Sequence, residues 1–353
     1  MFIGVVGTQC SGKHSVAEYL VQRHGFQILS LRNSVELDRT VCQTALEFSS
    51  VEEMHNYVTD RWRENFVTCD IDGQNLSLLN KRPFFLLVSV EAPLSMRYQR
   101  FIERCAASDS IPKRTLEQFI QDDDQAMYNT SEQALPLSQL QKLPLHRIIS
   151  SSDITITNVY AQKCDFMASL DTLDLTDPER IRPSWDTYFM HLSDLAARRS
   201  NCMKRRVGCI LVKDSRIIAT GYNGTPRGLR NCNEGGCGRC NANAPCGTGL
   251  DRCLCMHAEE NALLEAGRSR VDFGIGVVLY CNTCPCLGCA IKIVQIGVKE
   301  VVYSKSYGMD EMTAKVFAEA NVKLRQHSPP SMRLETQPAS LQKDRIIEQL
   351  GLK

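Results

Sequence analysis

Two short clusters in the second half of the chain hold residues that can do chemistry together, His257-Ala258-Glu259 and Pro285-Cys286-Leu287-Gly288-Cys289. Two cysteines three positions apart bring both sulfurs to one metal ion, and a histidine from a facing helix adds a third donor. Three protein ligands leave the fourth tetrahedral position open, the arrangement of a catalytic rather than a structural zinc. Bound zinc lowers the pKa of its water to about 7 and so yields a hydroxide able to attack an electrophilic ring carbon at neutral pH. Glu259 lies two residues from the histidine and is not itself a ligand. It is placed to carry the proton to a ring nitrogen and then to the departing amine. Each cluster opens a predicted helix, whose N-terminal field favours anionic thiolates. A purely structural zinc, or a buried histidine beside reduced thiols, would leave Glu259 without a use.

The elements that must position these groups are legible from periodicity. A helix from Ser184 to about Ser200 precedes a hairpin of two strands, 207–212 and 217–222, joined by a polar turn. A glycine- and cysteine-rich loop follows over 223–251, too long for a plain connector. Then come a helix at 257–266, a strand at 276–281, a helix at 286–296, a strand at 300–304, a helix at 310–320 and a short strand near 322–325.

Of the 17 cysteines, twelve lie between Cys202 and Cys289, so the metal chemistry belongs to this half. Without an export signal they argue for metal rather than disulfides, and for an intracellular protein, with cytosol and nucleus not distinguished. Six of them, Cys232, Cys237, Cys240, Cys246, Cys253 and Cys255, fall within 24 residues of the long loop. A loop with so few apolar residues cannot order itself by burial, and a closed four-ligand zinc is the expected organiser. Cys281 and Cys284 also read C-x-x-C, but on a strand, and are expected to be small buried residues.

The first half opens with an apolar strand, Phe2 to Val6, then Gly7-Thr8-Gln9-Cys10-Ser11-Gly12-Lys13 and a helical stretch from His14 to Arg23. Gly7-x4-Gly12-Lys13 is a Walker-A spacing in strand-to-helix context, able to cradle phosphates with backbone amides and Lys13. The hydroxyl that should follow for Mg²⁺ is replaced by His14, with Ser15 one place late. Further strands are expected at 84–90 and 153–158, with a basic helix carrying Arg97, Arg100 and Arg104 between them. Alternating strands and helices predict a parallel α/β sheet. The expected organisation is therefore a P-loop-type parallel α/β domain over 1–168, a linker over 169–183, a three-layer α/β/α domain over 184–328, and a flexible tail over 329–353.

Lysine plus arginine (41) balance aspartate plus glutamate (40), leaving a net charge of +1. That gives no electrostatic case for a nucleic-acid partner and leaves small nucleotides open. No apolar run is long enough to span a membrane.

H-x-E followed by P-C-x-x-C is the pattern of the zinc-dependent nucleobase deaminases. The likeness is closer still. Ser200-Asn-Cys202, Lys204 to Gly208, Gly221-Tyr-Asn223-Gly-Thr-Pro226, Asn231-Cys232, His257-Ala-Glu259-Glu-Asn261 and Pro285-Cys-Leu-Gly-Cys289 resemble the deoxycytidylate (dCMP) deaminases. The whole chain is similar to their fungal form, with its extra N-terminal domain. That resemblance implies a cytidine deaminase-like fold and zinc-dependent hydrolysis of dCMP to dUMP and ammonia, supplying dUMP for thymidylate synthesis. It implies a homo-oligomer, a hexamer, activated by dCTP and inhibited by dTTP with Mg²⁺. It places Asn223 on the sugar hydroxyl and Tyr307 close to the substrate, though Asn223 also reads as a turn residue and Tyr307 as a rim aromatic. Lys204, Arg205, Arg206 and Arg227 are the basic residues nearest the expected pocket mouth. By likeness to phage relatives, Cys202, Cys232 and Cys255 take three positions of a structural zinc, with Cys240 or Cys237 as the fourth. The first domain resembles nucleoside monophosphate kinases, and His14 makes it read as degenerate. Rivals are an RNA-editing adenosine deaminase, which needs a basic surface absent here; a bifunctional deaminase and nucleoside monophosphate kinase; and a silent nucleotide-binding regulator, which would not need Glu259.

Overall fold

The computed structural model describes residues 1–32, 45–107, 112–129, 143–245, 248–271, 276–306, 311–330 and 333–334. The chain divides into two compact units, Met1–Ile181 with Ser331–Lys353, and Arg182–Pro330. Among the described residues no helix is long and apolar enough to cross a membrane.

In the first unit β1 (Phe2–Gly7) leads through the glycine loop into α1 (Lys13–His24), followed by β2 (Gln27–Leu31), β3 (Leu46–Phe48), α2 (Val51–Asp60) and β4 (Phe66–Thr68). Then come β5 (Phe85–Glu91), α3 (Leu94–Ala107), α4 (Leu116–Tyr128), α5 (Leu145–Ser150), β6 (Ile154–Thr157) and α6 (Lys163–Leu170). The sheet is parallel throughout, in the order β12-β6-β5-β1-β4-β2-β3, where β12 is Arg333–Leu334. Alternate residues of β1 and β5 face opposite cores. Ile3, Leu86 and Val88 pack with α1 and α6, whereas Phe2, Phe85 and Leu87 pack with α2 and α5.

Three features differ from the sequence expectation. The strands and helix between residues 27 and 68 were not foreseen, because β3 and β4 are three residues long and β2 carries polar Gln27 and Ser30. Residues 171–180, expected as linker, pack on the first unit: Leu173 and Leu175 enter its core, and Tyr19 Oη donates to Asp171 at 3.0 Å. Arg333 and Leu334, expected as loose tail, pair with β6.

The second unit runs α7 (Trp185–Ala197), β7 (Gly208–Lys213), β8 (Arg216–Tyr222), α8 (Ala258–Arg270), β9 (Val277–Thr283), α9 (Leu287–Ile296), β10 (Glu300–Lys305), α10 (Glu311–Glu319) and β11 (Lys323–Gln326). Strand order is β11-β10-β9-β7-β8, with the hairpin β7–β8 and β7–β9 antiparallel and β9–β10–β11 parallel. The period of two sorts the strands' side chains. Cys209, Leu211, Leu279, Cys281 and Val301 meet α8, α9 and α10, while Ile210, Val212, Tyr280 and Val302 meet Phe189 and Met190 of α7. The unit is thus a three-layer α/β/α sandwich. Helix α7 starts at Ser184, whose hydroxyl accepts from Thr187 N at 3.3 Å.

A polar clamp ties α7 to the far edge of this sheet. Arg325 on β11 donates to both carboxylate oxygens of Asp186, at 2.6 and 2.8 Å, and also to Glu300. Tyr280 Oη donates to Asp186 at 2.7 Å. The Arg325 hydrogen bonds hold the Asp186 carboxyl below its ordinary pKa. A depressed native pKa contributes stability that is present above the unfolded value of about 3.9 and disappears as pH falls through the native one. Urea unfolding of wild type and Asp186→Asn should therefore differ at pH 7, and the gap should close as pH drops below about 4. A gap independent of pH would remove the ion pair from the account.

Candidate active site

The chemistry gathers where two helices begin. His257 is the residue before α8 and Cys286 the residue before α9, both in extended conformation, and Cys289 lies on the first turn of α9. The delivery of Cys286 is set by strand pairing. Cys284 N donates to Lys305 O at 2.9 Å, so the parallel pairing of β9 and β10 continues to the edge of the Pro285-Cys286 turn. Ligands of open α/β sheets collect at such carboxyl strand ends, outside the sheet. On the other side, β8 and α8 come into backbone contact because residue 221 is glycine. A Cβ there would lie 2.1 Å from Ala258 O and 2.5 Å from Ala262 N. Asn261 Nδ2 donates to Tyr222 O at 2.9 Å and pins the helix at that approach, while Glu260, ion-paired with Lys292 of α9, accepts from His257 N at 3.1 Å.

His257 Nδ1 lies 3.4 Å from Cys286 Sγ and 3.3 Å from Cys289 Sγ. A zinc ion about 2.3 Å from each sulfur and about 2.0 Å from nitrogen sets nitrogen–sulfur edges of about 3.6 Å in a tetrahedron, so the three donors fit one ion. All three donor atoms lie within 4.8 Å of one another. Cys289 is buried and Cys286 exposed, so the triad opens outward on the Cys286 side. Hydrogen bonding to Cys289 pulls the Cys286 thiol down to about 3, and the hydrogen bond to Cys286 pushes Cys289 up. A divalent cation would hold both as thiolates. Glu259 is only 4 % exposed. Burial raises its carboxyl pKa, the direction that suits a group which must both take and give a proton near neutrality.

Asn223, expected at the sugar, ends β8 with its carboxamide engaged. The oxygen accepts from Val207 N at 2.8 Å and Ser200 Oγ at 2.7 Å, and the nitrogen donates to Arg205 O at 2.7 Å. It thereby folds the basic stretch Lys204–Arg206 against the end of β8. Arg206 and Arg227 are exposed. Tyr307 lies outside the described residues, as does Cys246.

The long loop after β8 places further sulfurs beside this centre. Cys202, Cys232, Cys240 and Cys255 form one set with all sulfurs within 4.8 Å of one another. Cys237, Cys240, Cys253 and Cys255 form a second. Of the alternative fourth ligands, Cys240 falls in both sets and so joins Cys202, Cys232 and Cys255, whereas Cys237 falls in the second set only. Cys253 was not singled out as a ligand from sequence; its C-x-C spacing with Cys255 was the available signal. Cys281 and Cys284 are buried.

In the first unit Gly7 ends β1, Gly12 takes a left-handed φ of 109°, and Lys13 begins α1. The loop between them is held from outside by its carbonyls. Arg100 Nη1 donates to Cys10 O at 3.1 Å and Ser11 O at 3.4 Å, and Asn158 Nδ2 donates to Ser11 O at 2.8 Å. Arg97 is buried in a bidentate pair with Asp123, at 2.6 and 2.8 Å.

Residues 183–305 match the cytidine and deoxycytidylate deaminase zinc-binding region. The chain is 48% identical over 331 residues to the deoxycytidylate deaminase of Schizosaccharomyces pombe, spanning 93% of this chain and 98% of that one. It belongs to the deoxycytidylate deaminases. The Saccharomyces cerevisiae member is 41% identical over 333 residues, 93% of this chain and 97% of its own. That of Mycobacterium phage D29 is 41% identical over 129 residues, 35% of this chain but 97% of the phage protein. The two yeast members thus share both units, and the phage member matches about a third of the chain.

Gly221 carries a prediction for this family's site. Alanine there must push α8 away from β8, and overpacking of this kind costs about 1–3 kcal/mol. Because His257 and Glu259 ride on α8, Gly221→Ala should lower deaminase turnover at saturating metal more than it lowers the fraction folded. Equal losses in circular dichroism amplitude and turnover would reduce its effect to unfolding.

Proposed function

We propose that this chain hydrolyses dCMP to dUMP and ammonia. The observation that carries the reading is the joining of His257, Cys286 and Cys289 around one point, with Glu259 buried beside them, in a chain that aligns with deoxycytidylate deaminases over nearly its whole length. The three donors would hold a zinc ion, which when bound acidifies water and polarises the electrophile. The chain's own residues do the rest. Glu259 accepts the first proton of the attacking water and delivers it to the ring nitrogen next to the carbon under attack, then takes the second proton from the new hydroxyl and gives it to the amine, which leaves as ammonia. Burial keeps the carboxyl able to hold that proton between the two transfers. Asn223 sets the β8 end, and Lys204, Arg205, Arg206 and Arg227 supply cations for the 5′-phosphate.

Glu259→Gln should keep its zinc and lose about 10²–10⁴ in kcat, the range for one proton-transfer group. Loss of cytosine absorbance, followed with dCMP, CMP, deoxycytidine and cytosine in parallel, should be fastest with dCMP. Near-normal turnover of the variant sinks the proton-shuttle role, and equal rates with deoxycytidine sink the phosphate requirement.

A structural zinc on Cys202, Cys232, Cys240 and Cys255 organises the loop before His257 in this reading. The protein works as a homo-oligomer, a hexamer, regulated by dCTP and by dTTP with Mg²⁺.

The first unit is read as a P-loop nucleotide-kinase-like unit that no longer transfers phosphate. In support, Gly7 ends β1, Gly12 takes a left-handed φ and Lys13 begins α1, the strand-to-helix order such a loop needs, and the sheet is parallel. His14 replaces the metal-holding hydroxyl, and Arg97 of the basic helix α3 is committed to Asp123. Purified protein with ATP and each nucleoside monophosphate should show no phosphoryl transfer. Transfer abolished by Lys13→Ala would instead establish a bifunctional enzyme.

A further inference from the structure

The six sulfurs around the loop form two tetrahedra that share an edge. Cys202 and Cys232 belong to the first set only, Cys237 and Cys253 to the second only, and Cys240 and Cys255 to both. Zinc bound to four thiolates about 2.3 Å away gives sulfur–sulfur edges of about 3.8 Å. The separations here are 3.8 Å for Cys202–Cys240, 3.9 Å for Cys240–Cys255, 3.8 Å for Cys240–Cys253 and 4.0 Å for Cys237–Cys253. Each tetrahedron has its own two terminal cysteines, and the Cys240–Cys255 edge belongs to both.

Chain connectivity follows the same scheme. Cys237 and Cys240 are a C-x-x-C pair and Cys253 and Cys255 a C-x-C pair, so each knuckle gives one terminal and one shared sulfur. The two terminal sulfurs of the first set come from elsewhere, Cys202 before β7 and Cys232 on the short turn Cys232–Glu234. Among the described residues, the buried side chains gathered here are cysteines, whereas Leu229 and Leu254 are 51% and 48% exposed. Donors meet the outer sulfurs: Met203 N and Asn241 Nδ2 reach Cys232, at 3.4 and 3.7 Å, and Arg239 Nη1 reaches Cys253 at 3.8 Å.

We infer that this loop holds two zinc ions bridged by the thiolates of Cys240 and Cys255, a binuclear cluster separate from the catalytic ion. The inference rests on the structural-zinc reading and adds a second ion to it. One ion in the first set would leave Cys237 and Cys253 as thiols packed against a dianionic centre. A second ion with those two thiolates keeps the same net charge while bonding every sulfur of the group, and soft thiolate sets of this kind select zinc.

The test is metal content of the purified full-length protein, by mass spectrometry of the metals against amino-acid analysis. About three zinc ions per chain are expected, one catalytic and two in the cluster. About two per chain would leave a single structural ion and overturn the binuclear cluster; about one would remove the structural zinc as well. The Cys237→Ser/Cys253→Ser double variant should lose one ion, and unchanged content would also overturn the cluster. Should that variant fail to fold, cadmium-113 substitution of the wild type decides. Two cluster resonances coupled to each other through the shared sulfurs are expected, and resonances without mutual coupling would count against the bridge.

Discussion

The second unit depends on bringing two helix N-termini to one point. His257 ends a long loop and Cys286 ends a strand, so their meeting is not a local event: it requires β8, β9 and β10 to be in register and α8 to lie against β8 at backbone distance. Gly221 satisfies the second condition and the continued β9–β10 pairing to Cys284 the first. The capping positions are chosen accordingly. A residue just before a helix has extended backbone and a side chain that looks across the unsatisfied amides, where thiolates gain from the same field. Glu259 follows on the first turn of α8, and its burial is a direct consequence of that packing.

Much of this was legible in the sequence because it is periodic or spaced. The helices and strands of the second unit fell within a few residues of expectation, since their apolar residues repeat cleanly on one face or two. His257, Cys286, Cys289 and Glu259 stood out in the sequence because the donor types and their spacing have few other uses, and the structure brings the three donors together. The strands between residues 27 and 68 were not, because three-residue strands leave almost no period and gain their order from neighbours on both sides. The fate of 171–180 was hidden for a different reason. Its proline and acids read as linker, while Leu173 and Leu175, too few to signal, pack it into the first unit's core.

The cysteine-rich loop shows where reading by composition stops. Counting pointed to sulfur rather than carbon as the expected source of order, but not to which sulfur meets which. Cys237 and Cys240 were equivalent on the page because both belong to one C-x-x-C. In three dimensions the two differ: Cys240 lies against both Cys202 and Cys253, at 3.8 Å each, while Cys237 reaches Cys253 but falls outside the set that holds Cys202 and Cys232. A ligand set of this kind is a long-range property, like a strand register, and needs the partners' backbones before it can be assigned.

The nearness of that loop to the triad is more than adjacency. Cys255 and His257 are separated by Met256 alone, and Met256 is itself fixed in a two-way backbone bridge to Gly224, at 2.8 and 3.2 Å. Gly224 follows Asn223, whose carboxamide holds the 205–207 turn, and Thr225 N donates to Asn201 beside Cys202. The sulfur cluster, the β8 end and the first zinc ligand are therefore one connected frame. A loop of this length pays about 1–2 kcal/mol of backbone entropy for each ordered residue, with almost no apolar surface to offset it. On the proposal that these sulfurs bind zinc, metal–thiolate bonds would supply that free energy at a few points, and chain connectivity would carry the resulting rigidity two residues further, to the imidazole that must not wander from its two sulfurs.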